Sequence, residues 1–157
     1  MNTPPALQRL IGLIVAATLV CSPTSAEEPA RKTWTLRDKT FVAWVAPANT
    51  FQRGGSVVTL QTPGQAFDAM VFGELEPGRW MAGSEGFRRS TRDQAAWPKE
   101  NADPGALVQI AISYRGKEVA IYRDGEPYAR YEMTSEPAAF TDRSVVLFGL
   151  RHLEILG

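Results

Sequence analysis

The chain has 157 residues, and its 17 basic side chains balance its 17 acidic ones. A chain of zero net charge creates no long-range field that would favour nucleic acid or an anionic membrane. One cysteine and one histidine exclude the usual zinc-ligand sets and leave little for nucleophilic catalysis.

Residues 1–26 are typical of a secretory signal peptide. Arg9 precedes an apolar run, Leu10–Cys21, which is shorter than a membrane-spanning helix but suits the central region of such a signal. The small residues Thr24–Ala26 predict cleavage after Ala26, which is favoured over an uncleaved anchor. We therefore expect a secreted or periplasmic protein that has no cysteine, no disulfide and no membrane attachment after cleavage.

The mature chain begins with a flexible lead, residues 27–32, and a domain predicted over 33–157. Two apolar alternations over Trp34–Val45 predict the first strands. Because Phe41–Val45 is apolar on both faces, we expect this strand to lie well inside the fold. Trp44 is predicted to pack in the core together with Trp34, in preference to a role as a ligand platform.

Short alternating segments follow at regular intervals, separated by turns that contain glycine and proline. Such spacing is typical of a sandwich or barrel, and no helical period of useful length occurs in the mature chain. The predicted strands are Ser56–Thr62, Phe67–Gly73 and Arg79–Ala82.

A charged segment without alternation, Gly83–Gly105, predicts a long connection. Such connections are uncommon in compact domains unless they bind something or pack against something. The candidate ligand-binding residues are Arg88, Arg89, Arg92 and Trp97, which could hydrogen-bond hydroxyl groups and stack on a sugar ring. The alternative, which we favour, is that the connection folds over one edge of the domain or packs on an adjoining domain.

The segment Leu107–Glu132 is predicted to form three antiparallel strands joined by short turns. The second turn is Asp124-Gly125, a pair that tolerates the positive φ angles of a tight hairpin. The first strand directs four residues to one buried face: Val108, Ile110, Ile112 and Tyr114.

This segment resembles the central part of a laminin G-like domain of the concanavalin A type, and the resemblance extends over about Thr33 to Leu156. It implies an all-β fold, an antiparallel β-sandwich of the jelly-roll kind. It also implies a module that binds carbohydrate or protein and is commonly appended to larger secreted bacterial enzymes. The matching residues are Ile112, Ser113, Tyr114, Gly116, Val119, Ile121, Tyr122, Asp124 and Gly125.

The last clear strand is Ser144–Leu150. In laminin G-like domains a further apolar strand usually follows, and its absence here predicts a domain that lacks its last strand, as a fragment of a longer parent would. Two segments, Trp80–Ser84 and Gly149–Leu153, are similar to modules that precede a fructan- or sucrose-cleaving domain of glycoside hydrolase family 32. This resemblance implies polysaccharide or an adjoining β-fructosidase-like catalytic domain as the partner.

No catalytic residue is predicted within this segment. Glycosidases need two carboxylates at a set separation, and the nearest approach is Glu74 with Glu76, which precedes a Pro-Gly turn and suggests solvated charge. His152 is predicted to be a surface or hydrogen-bonded structural residue. Calcium is implied by the resemblance, but the available aspartates have no loop-motif spacing and none is assigned: Asp68, Asp93 and Asp142.

Three hypotheses follow for the function of the domain. The first is a secreted module that binds carbohydrate or protein, as the accessory part of a larger glycoside hydrolase. The second is a structural domain that packs on a neighbouring catalytic domain. The third, which the carboxylates favour least, is a glycosidase in its own right.

Overall fold

The computed structural model describes residues 33–154. The predicted signal peptide and flexible lead lie outside the described residues. The strands are β1 (Thr35–Leu36), β2 (Lys39–Val45), β3 (Gly55–Gln61), β4 (Phe67–Phe72), β5 (Trp80–Ser84), β6 (Val108–Arg115), β7 (Glu118–Arg123), β8 (Glu126–Glu132), β9 (Phe140–Thr141) and β10 (Val145–Phe148), and a 3₁₀ turn covers Glu85–Phe87.

The strands form two four-stranded antiparallel sheets. Sheet I has the order β10-β3-β4-β5 and sheet II has the order β2-β6-β7-β8, while β1 and β9 pair separately. The sheets pack face to face, since β2 contacts β3 and β5 contacts β7. The predicted antiparallel β-sandwich is therefore confirmed.

The predicted three-stranded meander corresponds to β6, β7 and β8, which are neighbours in sheet II. Ile112 pairs with Ile121 across the first two strands, and both side chains are buried. The hairpin turn has φ angles of 50° at Asp124 and 84° at Gly125. These positive angles are the ones that this pair of residues was predicted to adopt.

Both faces of β4 and β5 in sheet I are buried, whereas β6 of sheet II is covered on one face. The core between the sheets contains Met70, Phe72, Trp80, Ile110, Ile112 and Ile121 among others. A second cluster on the outer face of sheet I contains Phe67, Ala69, Val71 and Met81, covered in part by Leu75, Phe87 and Trp97. The alternation of apolar residues along the strands could not predict this second cluster, because the residues that cover it lie outside the strands.

Two predictions about packing are wrong. Trp34 and Trp44 are exposed, with 62% of Trp44 accessible to solvent. The strand Phe41–Val45 lies within β2, at the edge of sheet II, and no layer of the described chain covers its outer face. The chain between β8 and β10 contains β9, whose Phe140 is fully buried.

Candidate binding sites

The long connection between β5 and β6 is packed into the domain. The Trp97 ring lies 6.2 Å from the rings of Tyr128 and Tyr131, both of which belong to β8. The Tyr131 hydroxyl donates to the carbonyl of Arg89 over 2.9 Å. The structure therefore places the predicted sugar platform, Trp97, among aromatic packing neighbours, as the structural alternative for this connection expects.

Hydrogen bonds and the ion pair between Arg123 and Glu100 anchor the end of the same connection. The Arg79 guanidinium donates to the carbonyl of Ala95 over 2.8 Å. Glu100 accepts hydrogen bonds from Trp80 Nε1, over 2.8 Å, and from Arg123. Burial would raise the pKa of Glu100, but these hydrogen bonds and one from a backbone N–H outweigh it and lower the pKa to about 2.

Arg89 is held in a buried charge cluster, which we define as Lys39, Asp68, Glu85 and Arg89. Asp68 lies 2.7 Å from Lys39 Nζ and 2.7 Å from Arg89 Nε, and these three side chains are 1%, 5% and 6% exposed. Arg89 also donates to Glu85 over 2.8 Å. Its guanidinium is occupied within the protein, so the structure places this predicted ligand-binding residue in a structural role.

The pKa values of groups in and beside the cluster are shifted by burial and by the charges that they contact. Burial lowers the pKa of Lys39, although Asp68 opposes the shift. Burial also acts to lower the pKa of Arg89, but its hydrogen bonds to Glu85 and Asp68 outweigh burial and raise it. Tyr114, whose ring lies 4.2 Å from Lys39 Nζ, is fully buried, and burial raises the pKa of its hydroxyl.

The remaining two candidate residues are exposed. The Arg92 guanidinium lies 4.8 Å from the centre of the Phe87 ring. The carbonyl of Arg88 accepts a hydrogen bond from the Ser135 hydroxyl over 2.8 Å. With Arg89 buried, the four predicted residues do not form one exposed binding surface.

A cleft of about 290 Å³ opens on the outer side of sheet I. We call it the Phe67 cleft, because the Phe67 ring stacks on His152 with centroids 5.8 Å apart and an interplanar angle of 7°. Glu85 accepts hydrogen bonds from Arg89 and the Phe67 N–H there. These bonds outweigh burial and lower the pKa of Glu85. The cleft is lined by Gln65, Phe67, Glu74, Ser84, Glu85, Gly86, Phe87, Arg151 and His152.

The carboxylates considered for catalysis are each in an ion pair. Glu74 pairs with Arg151, and Glu76 pairs with Arg79 over 3.2 Å. Asp68, a candidate calcium ligand, is occupied by the two cations of the charge cluster. Within residues 33–154 no group of three or more His, Cys, Asp or Glu side chains is arranged to hold a metal ion. The same residues contain no helix long and apolar enough to cross a membrane.

Large apolar side chains are exposed on the two edge strands at the same side of the sandwich, β2 of sheet II and β10 of sheet I. Val42 and Trp44 are on the outer face of β2, whereas Val146 and Phe148 of β10 are 54% and 77% exposed. We call these four residues the open edge. No sequence signal distinguished Val146 and Phe148 from core residues, because a predicted strand does not reveal whether a facing strand exists.

Two facing antiparallel sheets, whose interior charges balance one another, define a β-sandwich domain. The chain belongs to the concanavalin A-like lectin/glucanases superfamily, whose family model matches residues 24–151. No curated protein matches the sequence. Among solved structures, the mouse laminin alpha1 chain, domains LG4-5, is similar with a TM-score of 0.47 and 11% identity, over 78% of this chain. The match spans 29% of that laminin chain.

Proposed function

We propose that this domain is a non-catalytic binding module of an exported protein, and that it docks on a protein partner through the open edge. The observation that carries the proposal is the exposure of Val146 and Phe148 on a strand face that would normally be covered. Contiguous exposed apolar surface marks interaction sites in proteins that otherwise remain soluble. The ion-paired state of Glu74 and Glu76 also favours binding over catalysis.

The proposal includes a cellular context. The apolar run Leu10–Cys21 supports export by a cleaved signal peptide. The segments Trp80–Ser84 and Gly149–Leu153 support a place beside a bacterial catalytic domain of glycoside hydrolase family 32. In that context the protein partner is the adjoining catalytic domain, and the open edge contributes to the contact between the two.

A photo-crosslinking experiment in the native host tests the docking surface. A photoreactive phenylalanine analogue at Phe148 should crosslink one predominant segment, in the adjoining catalytic domain or in a second protein, while the same analogue at the exposed control position Leu107 should not. Binding of that partner, once purified, should weaken at least 10-fold in Phe148→Lys and remain unchanged in Leu107→Lys. Equal crosslinking from both positions, or equal affinity of both variants, would refute the proposed surface.

A second candidate function is carbohydrate binding in the Phe67 cleft. The observation that favours it is the combination of aromatic rings, Phe67 and His152, with polar side chains around a concave surface. Affinity electrophoresis against a polysaccharide panel that includes fructans provides the test. Retention should fall at least 5-fold in His152→Ala and remain unchanged in Lys99→Ala, an exposed control; equal retention of the two variants would remove this candidate.

A further inference from the structure

The two sheets are offset by one strand. Since β3 lies over β2 and β5 lies over β7, strand β8 of sheet II and strand β10 of sheet I each extend past the opposite sheet. Beside β8 the long connection fills the space, with Trp97 against Tyr128 and Tyr131. Beside β10 the β1–β9 pair packs only against Leu60, the β3 partner of Val146, and Phe148 remains 77% exposed.

The exposed residues of β10 face the layer of sheet II. Val146 pairs with Leu60 and Phe148 pairs with Val58, and these partners point toward the core. Side chains that are paired across a ladder share a face, so Val146 and Phe148 point to the position beside β2. A strand added beyond β10 would leave them uncovered, whereas a strand added beyond β2 would lie directly beneath them.

The backbone of β2 is available on that side. All seven residues, Lys39–Val45, pair with β6, and β2 makes no other backbone hydrogen bond within residues 33–154. In an antiparallel ladder alternate residues direct their N–H and C=O groups away from the partner strand. The free side of β2 is therefore a template for one further strand.

We propose that the open edge binds a single extended segment of a partner protein, which adds to sheet II as a fifth strand beside β2. This inference rests on the docking surface proposed above and names the form of its partner. The main-chain hydrogen bonds of β2 supply affinity, and the side chains of the open edge supply specificity. The added strand lies about 4.8 Å from β2, which places it under β10.

The surroundings define the chemistry of the bound segment. Residues that point inward meet Val146 and Phe148 and become buried, so they must be apolar, because an unpaired buried charge is costly. Residues that point outward lie beside Val42 and Trp44, where β-branched or aromatic side chains pack well. The segment is about five to seven residues long, to match the length of β2, and contains no proline at its pairing positions.

A second copy of the folded domain that pairs its β2 antiparallel with this β2 does not fit the site. Pairing β2 with β2 of another copy would bring its β3, which already lies over its own β2, to the place that β10 covers. The two sheets I would then occupy the same layer. A lone extended segment has no second layer, so it can enter beneath Val146 and Phe148 without this clash.

Amide hydrogen exchange of the full chain provides the test. The probe is a nine-residue peptide of alternating threonine and valine with a terminal lysine at each end, acetylated and amidated, added up to millimolar concentration. Exchange in residues 39–45 should slow at least 10-fold. The matched control peptide carries an N-methyl group on every threonine and valine, which removes all ladder donors and retains the side chains. It should give no protection.

Protein variants separate the two sources of binding. Val146→Lys with Phe148→Lys should weaken the peptide at least 10-fold, and Leu107→Lys should not, with circular dichroism used to verify that both variants fold. Absence of protection in residues 39–45 overturns strand addition, as does equal protection by the methylated peptide. Self-association through β2 overturns the choice of occupant. If binding of the crosslinked partner requires Phe148 but the partner does not slow amide exchange in β2, strand addition is refuted and the docking surface is retained.

Discussion

Asp68 provides the sharpest test of how the interior of the sandwich is held together. Asp68→Asn retains the size of the side chain and removes its charge, which leaves Lys39 and Arg89 buried with less compensation. Arg89 retains Glu85, but Lys39 has no other carboxylate within ion-pairing distance among the described residues. In this variant the ammonium group of Lys39 therefore stays buried without a paired carboxylate.

The expected cost follows from the burial of the three side chains, which are 1%, 5% and 6% exposed. Breaking a buried pair by removing one partner costs about 3–5 kcal/mol, because the remaining charge stays desolvated. Domains have total stabilities of about 5–15 kcal/mol. The variant should therefore lose at least about a fifth of its stability, and its melting temperature should fall by about 10–20 °C.

Urea unfolding followed by tryptophan fluorescence measures this loss. The matched control is Glu118→Gln, because Glu118 pairs with Arg130 over 3.0 Å at the surface, where ion pairs contribute below about 1 kcal/mol. Adding Lys39→Met to Asp68→Asn should recover part of the loss, since the stranded charge is removed. A loss for Asp68→Asn no larger than that of the control would refute the reasoning.

Three further predictions concern other parts of the domain. The pKa of Glu100 is about 2 in the folded state and 4.5 ordinarily, so its contribution is present above pH 4.5 and is lost as the pH falls toward 2; in urea titrations across this range Glu100→Gln should lose on the order of 3 kcal/mol at neutral pH and show a shallower acid transition. Trp97→Ala should lower the free energy of unfolding by about 2–3 kcal/mol, because the ring packs on Tyr128, and a normal unfolding midpoint would contradict its core position. Gly73→Ala should cost about 2 kcal/mol or more, since φ is +71° and the new Cβ would lie 2.3 Å from the carbonyl oxygen of Gln52; a thermal melt equal to that of the parent would disprove this strain.

The candidate sites were less predictable than the strands. Arg89 was a candidate ligand-binding residue in a connection for which we favoured a structural role, and it pairs with Asp68, which is 21 residues away along the chain. Charged side chains in a connection are exposed unless the fold brings oppositely charged residues from elsewhere in the chain beside them. The sequence does not show which residues those are. The stacking of His152 on Phe67 could not be predicted for the same reason, since it joins the end of the described chain to β4.

The sequence by itself determined the local elements. Alternation along Val108–Arg115 predicted a strand with one buried face, and Asp124-Gly125 predicted the hairpin that follows β7, because both depend on neighbouring residues alone. Only the tertiary structure decided which apolar faces are covered. Trp44 and Phe148 satisfy the same pattern as core residues, but coverage depends on how the two sheets are offset, and that offset arises from contacts between residues far apart in the chain.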